Sequence, residues 1–379
     1  NSELESAVYV LEYWTYLVQN PIFVPLLLPA IRDQGVVRFF LYNLQINMTG
    51  DKLKVKKFSL IVNLINQILT LDPTFRKDFL DELLKDNDNK ILNYYVNSLK
   101  FTFQCLFELE KIYAQYEEEN SNFFAVFGMD PLMVRKQEMV WSEMLGHSNI
   151  LMDLLLFPQL MCIEHETVTQ NYFRVQTTKG LLRPMQVNIF DVMRDILKEL
   201  IKIMQPHNLC IIESIFNLLT KLVEGPCKVN QLEFISRKVI GVADEIYSQM
   251  YNLRDNSTDN DKTLAMTAFL KLKIGVIEST TDNLLIKTLG ISLNTELLWS
   301  RLEQIYCILF QLKSGTKITR NKNAIGNAIK SFKKLLPQDT LTQKSTKVNF
   351  KEKVQQVKDW QKLALSGDRG IFFNGADYS

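Results

Sequence analysis

Apolar residues recur at three- and four-residue intervals along most of the chain, as at Phe58, Ile61, Val62, Ile65, Ile68 and Leu69, and again at Ile189, Val192, Met193, Ile196, Leu197 and Leu200. That period gives a helix one apolar face and leaves it in need of a partner. Alternation at a period of two, the mark of a half-buried strand, is nearly absent. Stop signals fall at helical intervals: Asn20-Pro21, Asp72-Pro73, Gly128 to Pro131, Phe157-Pro158, Arg183-Pro184, Gln205-Pro206 and Gly225-Pro226. Starts are legible too, with Asp130 as an N-cap before Pro131, and Asn294-Thr295-Glu296 ahead of Leu297, Leu298, Leu302 and Ile305. The polar run Asp255–Lys262 reads as a loop, with a helix resuming near Thr263.

About fifteen helices with short connections follow from these signals. The fold class expected is all-α, an armadillo/HEAT-like α-solenoid in which successive helices bury their faces on their neighbours; a compact bundle has the same periodicity and stays open as the competitor. Composition fits: of 379 residues, 46% are hydrophobic and 23% charged, and 14 Gly with 10 Pro are few for an all-β fold. The net charge of +2 hides an asymmetry. Residues 313–379 carry 14 Lys/Arg against 5 Asp/Glu, which leaves −7 for residues 1–312, so a basic C-terminal extension follows a mildly acidic body. Within 314–366, Lys, Gln and Thr displace large apolar residues, as in one or two peripheral helices on a linker.

The longest apolar runs, such as Phe23–Ile31, are broken by proline and too short to span a bilayer, which takes about 20 residues. The opening Asn-Ser-Glu-Leu-Glu, with no initiator methionine and no hydrophobic signal core, reads as the start of a fragment. Five dispersed cysteines, Cys105, Cys162, Cys210, Cys227 and Cys307, with no C-x-x-C pair, suit a reducing compartment rather than a disulfide framework or a zinc site.

Candidate chemistry is sparse. His147, His165 and His207 stand far from one another, and Glu164 and Glu166 on either side of His165 diverge by about 100° on a helix instead of converging on an ion. His207 follows Pro206 at a helix start. No nucleophile signature, Gly-rich phosphate loop or twelve-residue calcium loop occurs, and Gly275 within a helical pattern reads as a close-packing position. The Glu117–Glu119 run is a solvated helix end. No enzyme and no cofactor are expected. The basic stretch offers Lys330, Lys333, Lys334, Lys351 and Lys353 as contacts for a partner protein, since Ile329, Phe332, Leu335 and Leu336 place apolar residues beside the lysines. It lacks the regular aromatics of a nucleic-acid surface. The aromatic clusters Tyr9, Tyr13, Trp14, Tyr16 and Phe39, Phe40, Tyr42 read as core; any that stay exposed would mark a protein interface.

One stretch stands apart. Leu222–Gln231, LVEGPCKVNQ, interrupts two amphipathic helices with Gly225, Pro226 and Cys227, then adds Asn230 and Gln231. Glycine closes the first helix in a left-handed conformation, proline opens the next, a small cysteine is buried, and the two amides bond the backbone groups that the corner leaves free. These five residues form a structural corner.

The block Ile211–Tyr306 resembles the RIH-associated domain of the intracellular calcium-release channels, the inositol-trisphosphate and ryanodine receptor superfamily. The likeness rests on Gly225, Pro226, Cys227, Asn230 and Gln231, and on Ile277, Glu278 and Ser279 at the end of a later helix. A more generic likeness to the RIH repeats of the same superfamily lies in Arg135–Pro158. The resemblance implies three parts: RIH-like helical repeats over 1–205, an RIH-associated-like domain over 206–312, and the extension 313–379. It implies a non-catalytic helical module that couples or docks proteins within a large assembly, on the cytosolic face of the endoplasmic reticulum if a channel surrounds it. The alternative is a free-standing cytoplasmic scaffold that bridges subunits of a cytoskeletal or ciliary assembly. Neither a ligand-binding β-trefoil nor pore helices are legible, so neither inositol phosphate binding nor ion conduction carries over.

Overall fold

The computed structural model describes residues 2–33, 35–44, 52–127, 131–178, 181–182, 186–225, 227–253 and 259–277. All of these fall in the first of the two units into which the chain divides, Asn1–Thr281. The described residues form thirteen α-helices: α1 (Ser2–Gln19), α2 (Val24–Asp33), α3 (Val36–Tyr42), α4 (Lys52–Leu71), α5 (Phe75–Lys85), α6 (Lys90–Phe127), α7 (Pro131–Met161), α8 (Thr167–Arg174), α9 (Ile189–Lys202), α10 (Leu209–Val223), α11 (Lys228–Ser236), α12 (Val239–Asn252) and α13 (Asp259–Ile277). The fold is all-α, as the periodicity requires. Its one exception among the described residues is a minimal antiparallel pairing of β1 (Thr177–Thr178) with β2 (Leu181–Leu182).

Packing follows a three-helix period. α1 lies against α4, α4 against α7, α7 against α10 and α10 against α13, while α6, α9 and α12 form a parallel series. Each helix of the first series therefore buries a face toward each neighbour. The apolar stripe of α4, from Phe58 to Leu69, is buried throughout, and so is that of α9. α10 is buried almost all round, with Ile211, Ile212, Ile215, Phe216, Leu218, Leu219, Leu222 and Val223 at its surface, which fits a helix enclosed by others. Polar side chains tie neighbouring layers by bonding helix carbonyls: Asn66 Nδ2 donates to Asp153 O at 2.8 Å between α4 and α7, and Gln159 Nε2 to Ser214 O at 3.1 Å between α7 and α10.

Phe157-Pro158 does not end a helix, contrary to its reading as a stop signal. α7 runs through Pro158 to Met161. Proline has no N–H to give the carbonyl of Leu154 four residues back, and an orphaned buried carbonyl would break the helix there. The phenol of Tyr95 on α6 takes that place, donating to Leu154 O at 2.9 Å. The loop before α13 is also shorter than the polar run suggested, because α13 begins at Asp259; Lys262 Nζ reaches back to Leu253 O at 2.7 Å and closes it.

α6 and α7 outrun the layers they belong to. No side chain from Lys111 to Glu119 or from Pro131 to Glu143 is buried, so the two helices continue past the body as a hairpin. At its base Trp141 stacks edge-on against His207, 5.0 Å between ring centres, and His207 Nε2 and Glu110 Oε1 share a hydrogen bond of 2.6 Å. His207 itself sits in a short 3-10 turn, Pro206–Asn208, ahead of α10.

Candidate functional site

The corner between α10 and α11 gathers three buried carboxamides, Gln170, Asn230 and Gln231, around a few backbone oxygens. α10 ends at Val223, so the carbonyls of Thr220, Lys221, Leu222 and Val223 have no partner inside the helix body. Each finds one. Thr220 O accepts from Glu224 N at 2.8 Å, Lys221 O from Gln170 Nε2 at 2.7 Å, Leu222 O from Asn230 Nδ2 at 2.9 Å, and Val223 O from Gln231 Nε2 at 3.1 Å. The same amides reach further: Gln170 Nε2 to Glu224 O (2.9 Å), Asn230 Nδ2 to Gln170 O (3.1 Å), and Gln231 Nε2 to Gly225 O (3.1 Å) and Gly275 O (3.4 Å). Three carboxamides from α8 and α11 thus cap one helix and join α8, α10, α11 and α13.

The backbone turn is made by Glu224 at φ −66°, ψ 142° and Gly225 at φ 83°. These φ values match the central residues of a type II turn, whose third position needs positive φ and hence glycine. The helix is therefore closed by the extended Glu224, with glycine reversing the chain one residue later, rather than by glycine alone. Pro226 lies outside the described residues. Cys227 is buried at the N-cap of α11, with Sγ 3.8 Å from Asn171 Oδ1. Burial pushes its thiol up from the ordinary range, which disfavours the thiolate a nucleophile or metal ligand needs.

Sequence reasoning named Asn230 and Gln231 but missed the partners from α8. Arg174 Nε donates to Asn230 Oδ1 at 2.7 Å and Arg174 Nη2 to Asn171 Oδ1 at 3.1 Å, so the arginine orients the amide whose NH₂ caps α10. Gln170 is fully buried in an eight-residue helix, beside Thr169, Tyr172 and Phe173. Gly275 packs against the corner, where an added Cβ would sit 3.5 Å from Thr220 Cγ2 and Val223 Cγ2, and 3.7 Å from Glu224 Cα. A second amide hub stands nearby. Gln176, also buried, donates to Val187 O (2.8 Å) and accepts from Val187 N (2.9 Å) and Asn89 Nδ2 (3.1 Å), which ties the residue before β1 to Val187 ahead of α9 and to Asn89 ahead of α6.

Among the described residues no three His, Cys, Asp or Glu side chains gather as a metal site would require. No helix among them is long and apolar enough to cross a membrane. Lys330, Lys333, Lys334, Lys351 and Lys353 lie outside the described residues, as do Glu278 and Ser279.

The corner sits inside a stretch with a family likeness of its own: residues 146–247 match the family model described as RyR and IP3R Homology associated. This segment is similar to the RIH-associated domain. It runs from within α7 to within α12 and holds the α8 amide, the α10 terminus and all of α11. The matched segment takes in Ile211 to Tyr247 of the resemblance described above and reaches back into Arg135–Pro158, while residues 248–306 lie beyond it. No curated protein matches the chain.

Proposed function

We propose that this chain is a non-catalytic coupling and docking module, a helical region of the kind that calcium-release channels carry on their cytosolic side. The observation that carries the reading is the α10–α11 corner within the RIH-associated segment. Its amides are spent on backbone carbonyls and join helices from four positions in the chain, which makes a junction that transmits displacement instead of a pocket that transforms a molecule. The three-helix packing period supports an armadillo-like stack, and such arrays present extended surfaces to other proteins. The α6–α7 hairpin adds a second surface beyond the stack. The division into 1–205, 206–312 and 313–379 and the Lys-rich extension as a partner contact belong to the same proposal; the RIH-associated segment straddles the first of those boundaries.

The experiment is fractionation of the native protein from cells, followed by cross-linking mass spectrometry of the complex that contains it. Cross-links from α6, α7 or the lysines of 313–379 to the cytosolic part of an endoplasmic reticulum membrane protein support the reading. Recovery only with cytoskeletal filaments points to the scaffold alternative. Recovery as an isolated cytosolic chain defeats both.

A further inference from the structure

The base of the α6–α7 hairpin is tied to the stack through a carboxylate withdrawn from water. Glu110 is the last buried side chain of α6 before the run Lys111 to Glu119, and it is 5% exposed. Its partner among the described residues is His207, whose Nε2 lies 2.6 Å from Oε1. His207 does not belong to the hairpin. It sits in the 3-10 turn between α9 and α10, and that turn is held firmly: the buried Asn208 donates Nδ2 to Ile203 O and its backbone N to Gln205 O, both at 3.0 Å, while Cys210 Sγ lies 3.5 Å from His207 O. The imidazole also meets Trp141 of α7 edge-on, and Trp141 packs on Tyr113 of α6 with ring centres 5.3 Å apart. One ring thus reaches both helices of the hairpin from a fixed post on the stack.

We propose that Glu110 and His207 form a proton-operated joint, which holds the hairpin base against the stack while the imidazole is charged and loosens it when the ring is neutral. A buried carboxylate beside a cation is compensated, whereas beside a neutral ring it keeps one hydrogen bond and bears its desolvation alone. The neutral ring must also carry its proton on Nε2 to donate that bond. His207 is 28% exposed, so the proton has a route to water, and histidine is the side chain that changes charge between about pH 5 and 8. The other charged groups on these elements have their own partners or face water. On α6, Lys111 Nζ is turned to Glu108 Oε1 (3.3 Å) and to the ring of Phe107 (4.2 Å). On α7, Glu138 and Glu143 are exposed, and burial lowers the half-buried His147. At the end of α9, Lys198 is exposed and Lys202 is paired with Glu199 at 2.7 Å. On α10, burial pushes up the Cys210 thiol, with Asp261 of α13 in its field, and pushes up Glu213, which bonds Asn217. The joint rests on the reading of the hairpin as a docking surface, since loosening its base changes how firmly that surface is held.

The test is native-state hydrogen exchange of the full chain between pH 6 and 8, with each rate divided by the intrinsic rate at that pH. One linked proton shifts an equilibrium by at most tenfold per pH unit, so opening at residues 107–116 and 138–147 should rise by about tenfold across the range, while α4 and α5 keep their protection. Glu110→Gln keeps the shape and removes the charge, and His207→Gln keeps a donor that does not titrate. In both variants the corrected exchange should be the same at pH 6 and pH 8. A wild-type hairpin base whose corrected exchange does not change with pH overturns the proposal, and so does a dependence that survives in either variant. No partner is present in these measurements, so their failure leaves the docking role to be judged by its own cross-linking experiment.

Discussion

Asn230 gives the sharpest test of the corner. Its NH₂ group serves Leu222 O and Gln170 O, and its Oδ1 holds Arg174. In Asn230→Ala the carbonyl of Leu222 loses its cap in a site closed to water, while Gln170 O keeps a helical partner and the half-exposed Arg174 can turn to solvent. One orphaned buried carbonyl costs about 1–3 kcal/mol, and the gap left by the amide adds to it, so the total is on the order of 2–4 kcal/mol. At about 2–4 °C per kcal/mol for a unit of this size, melting should fall by roughly 4–16 °C. Asn230→Asp separates the two roles of the side chain. It keeps the shape and strengthens the link to Arg174 but turns an oxygen toward two carbonyl oxygens. The capping argument makes Asp at least as damaging as Ala at neutral pH, with partial recovery in acid, where a protonated carboxyl can donate to Leu222 O. The assay is thermal and urea unfolding followed by circular dichroism at several pH values. An Asp variant as stable as wild type at neutral pH would show that Asn230 acts only through Arg174 and would refute the capping account.

Three more expectations follow from single atoms. Tyr95→Phe removes the one hydroxyl that serves Leu154 O beside Pro158, and unfolding should register a loss of about 1–3 kcal/mol; in the double variant with Pro158→Ala, whose restored N–H bonds the same carbonyl, the loss should shrink. Gly225→Val forces a β-branched residue to φ 83° and should lower the melting temperature by several degrees, so an unchanged melt would exclude a strained turn at this position. Asp153 is half-buried and desolvation pushes its carboxyl up to about 6. Its folded value lies above its unfolded one, so stability present below about 4 is lost as pH rises through 6; Asp153→Asn should stabilise the protein near neutrality by on the order of 1 kcal/mol after discounting for solvent screening, and leave it unchanged in acid.

The sequence made some of these features visible and hid others for identifiable reasons. The stripes of α4 and α9 are legible because burial on one face imposes a period that no other structure produces. Helix ends at Gln19, Leu71, Phe127 and Val223 are legible because each precedes a proline or glycine signal. Pro158 misleads because proline acts locally while its rescue is remote: Tyr95 lies 59 positions from the carbonyl it serves. The corner divides the same way. Gly225, Asn230 and Gln231 announce themselves as a polar interruption with a glycine, whereas Gln170 reaches Lys221 O across 51 positions, and no local pattern encodes that. Tyr9, Tyr13 and Tyr16 of α1 read as core and are exposed for another reason, since spacing shows that a face is apolar and leaves open whether the chain itself covers it.

The corner and the exposed tyrosines of α1 pull the same stack in opposite directions. At α10–α11 polar side chains are withdrawn from water and spent on backbone carbonyls, which fixes the relative placement of α8, α10, α11 and α13 at the cost of desolvating three amides. At α1 apolar rings are left in water, which is favourable only if something else removes them from it. The coupling role proposed above needs both: an interior that does not absorb displacement and a face through which displacement arrives. If Asn230→Asp softens the corner, native-state hydrogen exchange should accelerate together in α8, α10, α11 and α13 while α1 to α5 keep their protection. Acceleration confined to α11 would mean that the amides cap a helix without joining four, and the case for a rigid junction would fall.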